Sequence, residues 1–286
     1  VTAVAATWPR DVLLVSGPDA VTFLQGQVSA DLTTLDPGRS TLALLLQPSG
    51  KLEALVRLWR TDEHVVVVDA DAGAADAVEV RLRRFLLRAE VSIERLGWDC
   101  VAVRGPDCVA DGGSPAFEVG PSGAELVGLG LWPGVDGVDL LGRSLVSPPS
   151  VPVAQPGALE TLRIRSGWPA HGAELAGEHC GEVIPAEVGP WLITAAVSFT
   201  KGCYVGQELT ARINARGGNV PRRLRTFELP GGTGAEPGAT IVVVGDGEAG
   251  PRGVVTSAAV DPATGATVAM GYVHRSVPDD ATLAVA

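Results

Sequence analysis

"SFTKGCYVGQELTARI", residues 198–213, sets one cysteine between Lys201-Gly202 and Gly206-Gln207-Glu208. A packed core asks for a small hydrophobe there, not a thiol among glycines and polar side chains. A metal site asks for a second cysteine nearby, yet Cys100, Cys108 and Cys180 show no C-x-x-C spacing with it or with each other. Leu209 and Ile213 stand four apart, so a helix is predicted to begin near Gly206. Cys203 then lies just before a helix N-terminus with Lys201 two residues away, and both dipole and cation favour the thiolate. The alternative is a buried, inert residue, as most lone cysteines are.

Working outward, the segment from Lys201 to Arg225 holds six basic residues against one acid, Glu208. The chain as a whole carries a net charge of −11, which disfavours nonspecific binding to nucleic acid or an anionic membrane. Arg212, Arg216, Arg222, Arg223 and Arg225 read either as a solvated face or as a local anion site in an acidic protein. No uncharged apolar run reaches membrane-spanning length. The start, "VTAVAATWPRDVLLV", lacks a basic n-region, so no signal peptide and a cytoplasmic location are expected.

Upstream, "SGPDAVTFLQGQVSADLTTLDPG" (16–38) reads as a helix capped by Ser16, with Val21, Leu24, Val28 and Leu32 at helical spacing. Gln25, Gln27 and Asp31 are then solvent-facing polar positions. "STLALLLQPSGKLEALVRLW" (40–59) reads as two strands turned at Pro48-Ser49-Gly50, and "HVVVVDA" (64–70) as a buried strand. An amphipathic helix is predicted over 74–90 and strands over 91–96 and 100–105. Gly- and Pro-rich residues 111–150 suggest a crossing between subdomains. Helical material follows to Gly167-Trp168-Pro169, and after Pro221 five or six short strands suggest a small barrel. The alternation gives an α+β class. No dinucleotide or P-loop glycine pattern appears.

In "LRIRSGWPAHGAELAGEHCGEVIPAEVG" (162–189), Glu187 follows Pro185 and precedes Val188-Gly189-Pro190, which predicts a turn. A carboxylate on a rigid turn can accept two hydrogen bonds from an amidine-like ring edge; a plain surface glutamate is the alternative. His171, His179 and Cys180 match no standard metal spacing, and no metal is expected.

These blocks together resemble the YgfZ family of folate-binding proteins, relatives of the T-protein (aminomethyltransferase) of the glycine cleavage system. Lys201, Gly202, Cys203, Tyr204, Gly206, Gln207 and Glu208 match its signature "KGCYVGQE". The blocks at 23–38, 44–59 and 163–189 and the final strands match in order, so the resemblance spans nearly the whole chain. It implies a glycine-cleavage-T-protein-like fold, two interleaved ferredoxin-like α/β layers plus a C-terminal β-barrel around a central cavity that receives tetrahydrofolate. The implied domains are 1–45 with 150–220, carrying the motif, then 46–149, and a barrel over 221–286.

It implies a role in iron–sulfur cluster assembly or repair, with indirect effects on tRNA modification. The expected partners are a folate and iron–sulfur client or assembly proteins, with no direct nucleic acid and no membrane. Cys203 and Lys201 become the candidate functional pair. Glu187, His171, Arg212 and Arg223 become the candidate folate-binding residues, with His171 where the T-protein has a cavity-facing tyrosine. The T-protein carries an acidic pair after its early hairpin glycine; here Lys51-Leu52-Glu53-Ala54 leaves one acid. A folate-dependent aminomethyl transferase and a partner-docking module without a small ligand are the rival readings.

Overall fold

The computed structural model describes residues 2–245 and 250–286. In chain order the strands and helices of the first half are β1 (Val4–Thr7), β2 (Arg10–Ser16), α1 (Ala20–Gln25), β3 (Arg39–Leu46) and β4 (Leu52–Asp62). Then come β5 (Val65–Asp71), α2 (Ala75–Arg84), β6 (Ser92–Leu96), β7 (Asp99–Arg104), β8 (Leu126–Leu129) and β9 (Gly137–Gly142). Helices α3 (Ala158–Ser166), α4 (Pro185–Val188), α5 (Pro190–Ala196) and α6 (Gln207–Ala215) follow. The chain finishes with β10 (Arg222–Leu229), β11 (Thr240–Val243), β12 (Gly253–Val260), β13 (Thr267–His274) and β14 (Leu283–Val285).

Two compact units result, residues 11–97 with 170–223, and residues 1–10 with 98–169 and 224–286. In the first, five strands are ordered β3-β4-β5-β2-β6. Side chains on a strand alternate between faces, so Leu13 and Val15, Ala43 and Leu45, Val56 and Leu58, and Val66 and Val68 form one apolar surface. Phe23 and Leu24 of α1 and Val78 and Leu82 of α2 pack onto it. The opposite parity is buried as well, including Leu44, Arg57, Trp59 and Asp69. Burial on both faces explains why β5 reads as an unbroken valine run.

In the second unit, β1-β7-β9-β8 form an antiparallel sheet around Ala5, Val101, Val103, Val138 and Leu140. A curled five-stranded sheet, β10-β13-β12-β11-β14, occupies the C-terminal part, as expected from its short alternating strands. Ile164 of α3 packs on Val268 and Met270 of β13. Arg163, 1 % exposed, is held there by Glu160, Ser257 and the Trp168 carbonyl. No helix among the described residues is long and apolar enough to cross a membrane.

Several local expectations change. Helix α1 stops at Gln25 instead of running to Leu32, and Asp19 rather than Ser16 occupies its N-cap. Residues 126–129 and 137–142, inside the expected crossing, pair as β8 and β9. The domain boundary expected at 45/46 falls within β3, which pairs with β4 from Arg39↔Arg60 to Leu46↔Leu52. A hydrogen-bonded hairpin joins the two segments, so residues 11–97 stay in one unit. Val1 and residues 246–249, counted in the expected first and third domains, lie outside the described residues.

Candidate functional site

The stretch 198–208 is fastened to its surroundings by its own side chains and backbone. Lys201 turns its ammonium onto the carbonyls of Gln25, Val28 and Ala30 at 2.6, 2.7 and 2.8 Å. Those carbonyls became available because α1 ends at Gln25. An ammonium has three donors, so none of its hydrogens remains for Cys203. All three donors thus anchor the segment to the end of α1. Burial lowers the Lys201 pKa to about 8, against the attraction of Asp31. The Tyr204 ring lies 5.1 Å from the ammonium and is buried, which raises its phenol's pKa.

Gly206 and Gln207 complete the fastening. Gly206 takes φ 81°, and a Cβ there would lie 2.4 Å from the Gln47 carbonyl oxygen in the β3–β4 turn. Gly50 of that turn, φ 83°, would likewise place a Cβ 2.5 Å from Leu209. The two glycines let the hairpin turn and the start of α6 meet backbone to side chain. Gln207 folds back so that its amide oxygen accepts the Tyr204 N–H at 3.2 Å. The Val205 N–H donates to the Gly26 carbonyl at 3.3 Å. As expected, α6 begins immediately after Gly206.

Three motif residues remain outward. Gly202, Cys203 and Glu208 are exposed, and nothing lies within 4 Å of a Cβ built on Gly202. The other thiols, Cys100, Cys108 and Cys180, are all buried. Desolvation leads in raising the pKa of Cys108 and Cys180, so their thiolates are disfavoured. The motif thus presents the one exposed sulfur among the described residues on a backbone that its neighbours hold.

Glu187 sits at the third position of the single-turn helix α4 rather than on an open turn, and it is 4 % exposed. Its carboxylate accepts the Ile184 N–H at 3.2 Å and two bonds from Arg222, Nε at 3.1 Å and a terminal nitrogen at 3.3 Å. The second of the expected folate residues, His171, donates its backbone N–H to Asp71 and lies against Gly73; its Nδ1 is buried without a partner. Arg212 is exposed beside Glu208 at 3.9 Å. Arg223 reaches the Gly218 carbonyl and lines a cleft between α5 and α6. Arg225 donates to the carbonyls of Pro278, Asp279 and Ala281. The basic segment therefore disperses to separate partners instead of forming one anion cluster.

The polar residues of "FLQGQVSADLT" are bonded rather than merely solvated. Gln25 accepts the Leu32 N–H and donates to Asp31, and Gln27 accepts from Arg81. Arg81 also donates to the Leu46 carbonyl, and Glu53 lies close enough to favour its charge. The partnership of Glu187 with Arg222 had no local signature. The helical period of Thr210, Ile213 and Asn214 did mark one face of α6, which proves to be the face that lines the cleft.

No family model matches the chain. The aminomethyltransferase of Rubrobacter xylanophilus is 30% identical over 281 residues, 90% of this chain and 72% of that protein. The iron-sulfur cluster assembly factor IBA57 homolog of Chaetomium globosum is 30% identical over 267 residues, covering 83% of this chain and 58% of its own length. The tRNA-modifying protein YgfZ of Edwardsiella ictaluri is 28% identical over 224 residues, 72% of this chain and 65% of that one. In structure, the glycine cleavage system aminomethyltransferase T from Bartonella henselae superposes with a TM-score of 0.70, covering 96% of this chain and 79% of that one at 21% identity. That likeness establishes the α+β fold of the glycine cleavage T-protein. With 30% identity over 90% of this chain and 72% of the Rubrobacter xylanophilus protein, the chain belongs to the family that unites the aminomethyltransferases with the YgfZ-type proteins.

Proposed function

We propose that this protein is a cytoplasmic, tetrahydrofolate-binding accessory factor for iron–sulfur cluster assembly or repair, with Cys203 as its functional thiol. Effects on tRNA modification would follow from the iron–sulfur enzymes served. The observation that carries the reading is the division of labour within the motif. Lys201, Tyr204, Gly206 and Gln207 are consumed in holding the segment, while Cys203 alone of the four thiols faces outward. The names of the relatives support the same role, an assembly factor and a tRNA-modifying protein among them.

The folate side rests on Glu187. Its two oxygens are turned toward a planar pair of N–H donors, here the Arg222 guanidinium. A pterin's amidine-like edge offers donors of the same kind, so the carboxylate fits that edge by chemistry once Arg222 yields it. His171, with its unpartnered buried Nδ1, and Arg223, at a cleft, remain assigned to the ligand in this reading; Arg212, outward on α6, is the weakest member.

Calorimetric titration with tetrahydrofolate tests the ligand, with saturable binding expected and its loss expected in Glu187→Gln. Complementation tests the thiol: Cys203→Ala is expected to fold normally and fail to restore iron–sulfur enzyme activity. Full complementation would remove the thiol from the function. The 30% identity to an aminomethyltransferase favours a second reading, a one-carbon transferase. Against it, Glu53 is followed by Ala54 where the T-protein has a second acid. Formation of methylenetetrahydrofolate from an aminomethyl donor, above the uncatalysed rate, would decide for the transferase.

A further inference from the structure

A cleft of ≈ 260 Å³ opens between α5 and α6 in the unit formed by residues 11–97 and 170–223. Pro190 and Ile193 of α5 and Ile213 of α6 make its apolar walls. Thr194, Thr210, Asn214 and Arg223 supply its polar side chains, the Thr194 hydroxyl donating to the Pro190 carbonyl at 3.1 Å. Thr210 is 4 % exposed, and its hydroxyl is buried with no hydrogen-bond partner in the protein. A buried hydroxyl left unmade is costly, so an orphan at a cleft wall points to something that completes it. Arg223 has the Gly218 carbonyl as its partner and pairs with no carboxylate among the described residues.

The lining selects the guest by charge and size. Among the described residues it offers one cation and no acid, so the guest is an anion. A single guanidinium between aliphatic walls suits a monoanion; a phosphate dianion asks for further cations or several backbone N–H groups. The volume lies below the roughly 300–1,000 Å³ of drug-sized sites, so the guest is small.

We propose that this cleft binds a monocarboxylate on a short apolar body. Arg223 grips the carboxylate, Asn214 donates to it, and the Thr210 hydroxyl donates to it the bond that no protein group accepts. The acid can be free or the carboxylate end of a larger molecule such as a folate; the recognition is the same. The inference stands on the cleft and does not require the Glu187 reading.

Ligand-observed NMR and calorimetry with benzoate and hexanoate test the free acid, and 4-aminobenzoylglutamate tests the tethered one. Saturable binding of at least one is expected. Arg223→Met, which keeps the aliphatic stem, is expected to weaken it about tenfold or more. Thr210→Val is expected to weaken it about threefold while leaving the melting temperature equal or higher, because an unsatisfied buried hydroxyl is removed. A merely structural threonine would not move the affinity. Benzamide, of the same shape without the charge, is expected to bind at least about tenfold more weakly. Glu187→Gln is expected to leave benzoate binding intact, which separates this cleft from the pterin site. The proposal is overturned by absence of saturable binding up to about 10 mM for all three acids. It is equally overturned by affinities that Arg223→Met leaves unchanged, or by inorganic phosphate binding more tightly than the acids.

Discussion

Residues 198–208 and 212–225 are neighbours in sequence, both polar and both inviting a functional reading, yet their side chains are used in different ways. In the first, Lys201 and Gln207 have fixed partners within a few ångströms and Gly206 sits where a Cβ would strike the facing chain, while Gly202, Cys203 and Glu208 are left outward. In the second, five arginines part company: one to a buried glutamate, one to a cleft, one to the carbonyls of 278–281, two to the surface. A pattern of particular residues at particular spacings encoded a built object. An excess of one charge encoded only an average, which separate partners then divided.

Substitutions sharpen that contrast, beginning with the largest effect. Lys201→Met removes three hydrogen bonds to carbonyls of the α1 loop and is expected to cost about 3 kcal/mol in urea unfolding. Gly206→Ala, forced to a positive φ against the Gln47 carbonyl, is expected to cost a similar amount, about 2–4 kcal/mol. In the second region only Arg222→Met should approach these values, at about 2 kcal/mol, because it strands the buried Glu187 carboxylate. Arg212→Ala is expected within about 0.5 kcal/mol of the parent, since its pairing with Glu208 is exposed. If Arg212→Ala destabilised as much as Lys201→Met, the contrast between the regions would fail.

A smaller effect concerns pH. Asp31 accepts from the Thr33 hydroxyl, from Gln25 and from the Thr33 amide, and these hold its pKa below its ordinary value against desolvation. A carboxyl with a depressed folded-state pKa contributes stability that is present above its unfolded value. That contribution disappears as pH falls from near 3.8 through the lower folded value. Asp31→Asn is therefore expected to flatten the acid limb of the stability–pH curve below about pH 4 and to leave its slope at neutral pH unchanged.

Much of this was legible before the fold was known. Apolar runs with turn residues between them gave β3, β4, β5 and the C-terminal strands, and the Leu209–Ile213 spacing gave α6 and its start. The helix over 16–38 was overextended because Val28 and Leu32 keep helical spacing, whereas Gly26 ends the helix and Gln25 clamps the loop through Asp31 and Leu32. Side-chain bonds of that kind leave no periodic trace. Nor does the partner of a buried charge: Glu187 and Arg222 are 35 residues apart. Lysine at position 201 suggested an electrostatic companion for the thiol, and only the placement of three carbonyls shows its hydrogens already used.

The central proposal is that the motif holds a functional sulfur outward and that a folate binds beside it. Alkylation of the native protein, read thiol by thiol by mass spectrometry with and without tetrahydrofolate, tests it most directly. Cys203 is expected to label fast and to slow when the ligand is added, while Cys100, Cys108 and Cys180 stay unlabelled until the chain unfolds. Buried cysteines that label as fast as Cys203, or a Cys203 rate indifferent to saturating ligand, would contradict it.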